Sequence, residues 1–412
     1  MRLTLFFVLV FIIRIAPAQS GFGSFISAAK NDPAVSMFDL QVDYLNKRPY
    51  RLAPVQKFEL RTESNQLDPN RQEYALRLNP SNPWEVRQNN LYFKELKSSL
   101  ELEKGIVLKN SLVQRYTLVV ELVMYASLRD LAQRKLELTQ TSLSMLEKQQ
   151  LSGYFDGEDY VDLKLEEMDK SVEADEALYE AENAIRKVAA IFPDAAQSAR
   201  QWNLSEVITI PQIEKLLDSL QTAMPEATTL SYYQKKIDLA DREFKLERNN
   251  INFGYIQAKY QDFRIDQDRK PWSVGLGVTI PVFNPNKGDM TKRRLESIES
   301  QQELKEAKVE TSKDQVRLRE QLRDLIASHR RIEEKINALN VSSLARTLST
   351  IQKSNPVASV RFKSNLIKLE ELALKLRQNI LITYTEWLAS TDALQQLPLT
   401  NYLSRNLETL TD

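Results

Sequence analysis

The sequence contains no cysteine, one histidine and nine glycines in 412 residues. Without cysteine there is no thiol nucleophile, disulfide, thiolate metal site or lipid-modified amino-terminal cysteine. A lone His329 removes most zinc chemistry and every histidine-based dyad except one built on that residue. An ordinary hydrolase or oxidoreductase is therefore disfavoured. Glycine at about 2% falls well below the usual ~7%. So few turn-formers in a chain of this length imply long, uninterrupted elements. Charge of one sign is also missing: 56 basic side chains face 56 acidic ones. A nucleic-acid-binding chain would show a basic face or stripe, so no nucleic-acid partner is expected. Long apolar runs are absent too, since Leu118–Leu128 is broken by Glu121. No membrane-spanning helix is expected.

What is present begins with a targeting pattern. Arg2 supplies a positive start, Leu5–Ile13 an apolar stretch and Ala16-Pro17-Ala18 a small-residue cleavage site. We expect residues 1–18 to be a cleaved signal peptide and the mature chain to be exported. A first structural repeat is expected over 19–193 and a linker over 194–227. A second repeat over 228–394 and a C-terminal tail over 395–412 complete the division.

Two long stretches carry helical character and have no proline outside their tips. One spans about 84–192, with a tip near 151–157; the other spans about 287–394, with a tip near 354–356. Leu318, Leu322, Leu325, Ile332, Ile336 and Leu339 follow heptad steps, as do Leu108, Leu112, Val119 and Leu122. Helices of that length form coiled coils more readily than globular layers.

A strand pair precedes each long helix. Trp272, Val274, Leu276, Val278 and Ile280 alternate with Ser273, Gly275, Gly277 and Thr279. The partner strand, within a hairpin over about 251–283, is aromatic, and its alternation slips near Ile256. The first hairpin, about 57–80, alternates Phe58 and Leu60 with Glu59 and Arg61, then Tyr74, Leu76 and Leu78 with Ala75 and Arg77. A short strand is also expected at Val207–Ile210. The halves repeat: Pro225 follows Pro33 by 192 residues, Phe253 follows Phe58 by 195, and Asn355 follows Gly153 by 202. Three offsets near 200 indicate duplication. The fold class is mainly α with a small β part: duplicated long helical hairpins plus four strands.

Strands of about ten residues match the length that crosses a membrane at the usual tilt. Hydrocarbon accepts only closed sheets, and the smallest single-chain barrels have eight strands. Four strands per chain therefore require several copies. A trimer gives a 12-stranded barrel and twelve helical arms in a tube. Ser273, Gly275, Gly277 and Thr279 would then line the lumen, while Trp272, Val274, Leu276, Val278 and Ile280 would meet lipid.

The segment Trp272-Ser-Val-Gly-Leu-Gly-Val-Thr-Ile-Pro281-Val-Phe283-Asn284 resembles the strand-to-helix segment of TolC-type outer-membrane efflux channels. Asn31-Asp32-Pro33 and Ala223-Met224-Pro225-Glu226 are similar to the paired signatures that open that family's two halves. Leu151-Ser152-Gly153, followed by Asp159-Tyr160-Val161-Asp162-Leu163, resembles its periplasmic tip, whereas Ser354-Asn355-Pro356 departs by lacking glycine. The resemblance implies a homotrimer in the outer membrane with a large periplasmic portion, an inner-membrane pump and a periplasmic adaptor touching Leu151, Ser152 and Gly153. It implies no cofactor, metal or catalytic residue, and it does not separate drug, metal or small-molecule efflux from type I protein secretion. A soluble periplasmic coiled-coil scaffold is the alternative of another class.

Two further features keep open readings. Eleven acids lie between Glu158 and Glu182. They form either a solvated helix face or, through Asp159 and Asp162, an entrance ring favouring cations. His329 sits mid-helix beside Arg330 and Arg331, without a second histidine or cysteine to share a ligand.

Overall fold

The structure is a computed structural model and describes residues 21–48, 51–64, 72–149, 157–222, 227–251, 254–261, 271–279, 286–339 and 356–410. In chain order the main elements are α1 (Pro33–Lys47), β1 (Val55–Ser64), β2 (Gln72–Pro80), α2 (Pro83–Gln149), α3 (Gly157–Ile191), α4 (Ile210–Thr222), α5 (Thr228–Asn249), β3 (Gly254–Gln261), β4 (Trp272–Val278), α6 (Lys287–Leu339) and α7 (Pro356–Ser390). At 1.5 Å per residue the 67 residues of α2 extend roughly 100 Å. Proline opens α1, α2 and α7 at the first helical position, where its missing N–H has no helical partner to lose.

The four strands form one antiparallel sheet in the order β1-β2-β3-β4. Helices continue from one end of it. Beside the sheet-proximal parts of α2 and α6 the neighbours run α1-α2-α5-α6. Ion pairs Lys104–Asp39 (2.5 Å), Lys235–Glu95 (2.6 Å) and Lys236–Glu303 (2.6 Å) cross those contacts. Beyond them α3 and α7 return along the distal parts, and the order becomes α3-α2-α7-α6. Each layer thus has two open edges, α1 and α6 near the sheet, α3 and α6 far from it.

The main apolar core sits between these two layers, at the level where α3 and α7 end. Leu112, Tyr116 and Val119 of α2 meet Val188 of α3, Leu322 of α6, and Tyr384 and Trp387 of α7 there. Phe22 and Phe25 pack on Trp202 with ring centroids 6.1 and 5.6 Å apart. Arg115 is buried beneath them. Its guanidinium donates to the Phe25 carbonyl (2.5 Å) and to Asp32, which also accepts from Ser111 and heads α1. A carboxylate that fixes a buried cation and a helix start explains why Asn31-Asp32-Pro33 reads as a signature.

Three local expectations change. No strand forms over Val207–Ile210; Val207 makes a single bridge to Ser404, and the Ile208 N–H donates to the Leu403 carbonyl at 2.8 Å. Pairing through Ile256 is regular on both sides, so the slip in alternation is no bulge. The register shift lies in β1, between Val55 and Lys57. Third, the segment expected as a tail is folded. The helix α7 stops at Ser390, Asp392 takes a left-handed backbone (φ 54°), and Leu399, Leu403 and Leu410 are buried in the core. Tyr116 clamps this segment, its hydroxyl accepting from the Tyr402 N–H at 3.0 Å and donating to the Thr400 carbonyl at 3.2 Å. The expected turn at 68–70, the tip near 151–157 up to residue 156 and the tip near 354–356 up to residue 355 fall outside the described residues, as does the expected signal peptide.

A fully buried leucine in this segment carries a clear expectation. Leu403→Ala should cost about 2–5 kcal/mol, read as a lower urea midpoint at unchanged slope. A loss within about 0.5 kcal/mol would show that the segment behaves as a tail after all.

Candidate functional site: the sheet and the helical arms

Strand pairing fixes which side chains share a face. Phe58 opposes Leu78, Leu60 opposes Leu76, and Tyr74 opposes Tyr260. Ile256 opposes Leu276, Ala258 opposes Val274, and Tyr260 opposes Trp272. One face is thus apolar across all four strands, and it is exposed. Trp272 is 66% exposed, Val274 and Leu276 76%, and Val278 77%. Tyr74, Tyr260 and Trp272 lie side by side at the hairpin end, the last two with ring centroids 4.8 Å apart. Of the five residues expected on this face, Ile280 lies outside the described residues.

The opposite face is polar. Glu59 binds Lys57 and Arg61, and Glu73 binds Lys259 and Gln261. Arg77 forks onto Gln257 Oε1 at 2.8 and 3.1 Å and stacks its guanidinium 3.9 Å above the Tyr255 ring. Ser273, Gly275 and Gly277 belong to this face by alternation, and exposed Thr279 follows the strand end. Gly277 has a steric reason: a Cβ there would lie 2.4 Å from the Tyr255 ring. Gly254 has a backbone reason, with φ +116° and the Gly277 carbonyl where its Cβ would be. The Arg77–Tyr255–Gly277 stack was missed in the sequence because tyrosine suits either face. A strict two-residue count from Ile256 would have placed it.

The arms carry charge between helices. Lys135 of α2, almost fully buried, reaches Glu173 of α3 and Glu371 of α7, the latter at 2.6 Å. Burial alone would lower the Lys135 ammonium, but its two carboxylate partners outweigh that and raise it. Near the start of α3, Asp159 pairs with Arg361 of α7 at 3.6 Å, while Asp162 is exposed. The expected adaptor residues Leu151, Ser152 and Gly153 lie outside the described residues. Among the described residues no group of three His, Cys, Asp or Glu side chains is placed to hold a metal ion. No described helix is long and apolar enough to cross a membrane.

His329 is buried on α6 with Nδ1 3.6 Å from Glu333, beside Arg377 of α7. It lines a cavity of about 560 Å³ with Thr209, Glu214, Arg330 and Arg377. Glu214 is engaged by Arg330 at 2.8 Å.

No protein-family profile and no curated protein matches the sequence. Solved structures do. The outer membrane protein VceC of Vibrio cholerae aligns at TM-score 0.68 and 11% identity, over 90% of this chain and 96% of that one. The open-state MtrE outer membrane channel of Neisseria gonorrhoeae aligns at 0.64 and 11%, over 94% and 91%. The CmeC outer membrane channel of Campylobacter jejuni aligns at 0.62 and 11%, over 94% and 87%. The chain therefore has the fold of the TolC-type outer-membrane channels across nearly its whole described length.

The buried imidazole sets a pH expectation. Burial, the largest influence, holds His329 below its ordinary 6.5; Arg377 adds to this and Glu333 opposes it. An unfolded chain takes up that proton near pH 6.5 while the folded one resists it. Stability should therefore fall as pH drops below that value, down to the folded pKa. Thermal midpoints measured from about pH 7.5 to 5 should fall more steeply for the native chain than for His329→Gln. Parallel slopes would contradict a neutral, buried His329.

Proposed function

We propose that this chain is the outer-membrane exit duct of a tripartite efflux system. Three copies close a 12-stranded barrel and a helical tube that conduct solute passively from an inner-membrane pump. The observation that carries the reading is a sheet with one exposed apolar face and one polar face, with β1 and β4 as its edges. Lipid accepts such a face only if the edges pair. Copies of the chain satisfy both demands, with Trp272, Val274, Leu276, Val278 and Ile280 toward lipid and Ser273, Gly275, Gly277 and Thr279 toward the lumen.

The open helical edges support the same ring. Exposed Val161, Leu165, Met168, Val172 and Tyr179 on α3 keep heptad spacing. Exposed Leu295, Ile298, Val309 and Val316 do so on α6, and Met37, Leu40 and Tyr44 form a stripe on α1. Where β4 of one copy meets β1 of the next, α6 abuts α1 near the sheet and α3 farther out. The division into two duplicated halves gives each copy one hairpin and one arm pair per half. Leu151, Ser152 and Gly153 form the adaptor contact at the tip, the signal peptide is removed on export, and the energy comes from the pump. Because Asp159 is already paired with Arg361, an entrance charge ring falls to Asp162. A type I secretion duct uses the same geometry, with the pump selecting the cargo. A soluble scaffold would leave the apolar sheet face in water.

Purified from membranes in detergent, the native chain should have the mass of a trimer and give discrete conductance steps in a planar bilayer. A water-soluble species without conductance would sink the proposal. Arg361→Ala should raise open probability, since an exposed pair is worth about 0.2–1 kcal/mol per copy. Unchanged gating would remove the Asp159–Arg361 pair from the closure.

A further inference from the structure

The polar face of the sheet is not evenly charged. Toward the hairpin end, Glu63 faces Glu73, and Glu73 is neutralised by Lys259. Toward the helical end, Lys57, Arg61 and Arg77 surround one carboxylate, Glu59. Arg77 stands directly across from Glu59 in the register. The Glu59 oxygens, however, are taken by Lys57 and by Arg61, the latter at 2.7 Å. Arg77 is instead held by the neutral Gln257 amide and the Tyr255 ring. Three cations against one carboxylate leave two positive charges per chain at this level.

The holding is rigid as well as uncompensated. The guanidinium lies between a fork of two hydrogen bonds and an aromatic face, and the ring beneath it rests on Gly277. Cation–π contact favours a cation without neutralising it. A fixed guanidinium keeps donors free for a carboxylate or phosphate that approaches from the open side.

We propose that Lys57, Arg61 and Arg77 form a cationic collar on the inner wall of the barrel, next to the helical tube, which makes this segment prefer anions and anionic solutes bearing carboxylate or phosphate groups. The proposal rests on the duct reading above. Three copies bring six uncompensated charges into one ring, and rings of fixed charge set selectivity in pores.

Reversal potentials in planar bilayers under a KCl gradient test it with the full-length chain. Arg77→Gln should lower the chloride-to-potassium permeability ratio by roughly twofold or more, and Glu59→Gln, which strips the one carboxylate, should raise it. Arg77→Gln also uncovers Tyr255, so Lys57→Gln serves as the variant that removes one charge and leaves the stack intact; it should shift in the same sense as Arg77→Gln. All shifts should shrink near 1 M salt, where screening acts within about 3 Å. Variants that move in one common direction, or that do not move at all, would overturn the collar. A native chain with no conductance would instead overturn the duct on which it rests.

Discussion

The structure depends on one constraint: a four-stranded sheet cannot present an apolar face and two unpaired edges to water. Each free edge leaves a row of N–H and C=O groups, and hydrocarbon makes those groups costly unless every one is paired. The apolar face from Phe58 to Val278 is too apolar to be a solvent surface, and the opposite face is too charged to be a core. Both conflicts vanish when the sheet closes through copies of itself around water. The helical layers repeat the pattern, with apolar stripes on the edge helices α1, α3 and α6 that nothing among the described residues covers.

The centre of the chain is the core where α2, α3, α6 and α7 meet. There α2 passes through, α3 and α7 end, and the segment after α7 folds back under Tyr116. Arg115 binds Phe25 and Asp32, so the start of α1 is tied to the middle of α2. A second tie lies nearby. Lys109 reaches Asp392 at 2.7 Å, and Asp392 accepts from the Thr229 N–H at 3.1 Å, which links α2, the turn after α7 and the start of α5. From this centre the sheet extends one way and the arms the other. Among the described residues away from the core, the arms are joined by ion pairs such as Lys135 with Glu173 and Glu371 and by a small apolar contact among Leu143, Leu146 and Leu163. Ionic and thin apolar contacts contribute less than a packed core.

Much of this was legible in the residues because two periodicities dominate. Alternation at Trp272–Val278 gave the faces of β4, and heptad spacing gave α2, α3 and α7 within a few residues of their ends and the start of α6. What stayed hidden has physical causes. Tyr255 carries an apolar ring and a polar tip, so alternation near Ile256 looked broken when it was intact. Lys135 reads as a surface residue until two distant carboxylates are seen to converge on it. The segment over 393–410 has no period because its leucines, at 399, 403 and 410, enter the core from turns rather than from a helix or strand. The polar collar was unreadable because it depends on which partner each charge takes, and that is decided by register.

The chain has no cysteine, so single cysteines can be placed without background. The most direct measurement attaches a fluorophore in turn to Val274→Cys and Ser273→Cys in membrane-reconstituted protein and compares two quenchers, one in the lipid and one aqueous. The account predicts opposite results at these neighbours: Val274→Cys quenched from lipid and shielded from water, Ser273→Cys the reverse. Aqueous quenching at both, with none from lipid, would contradict a sheet that closes around water inside a membrane.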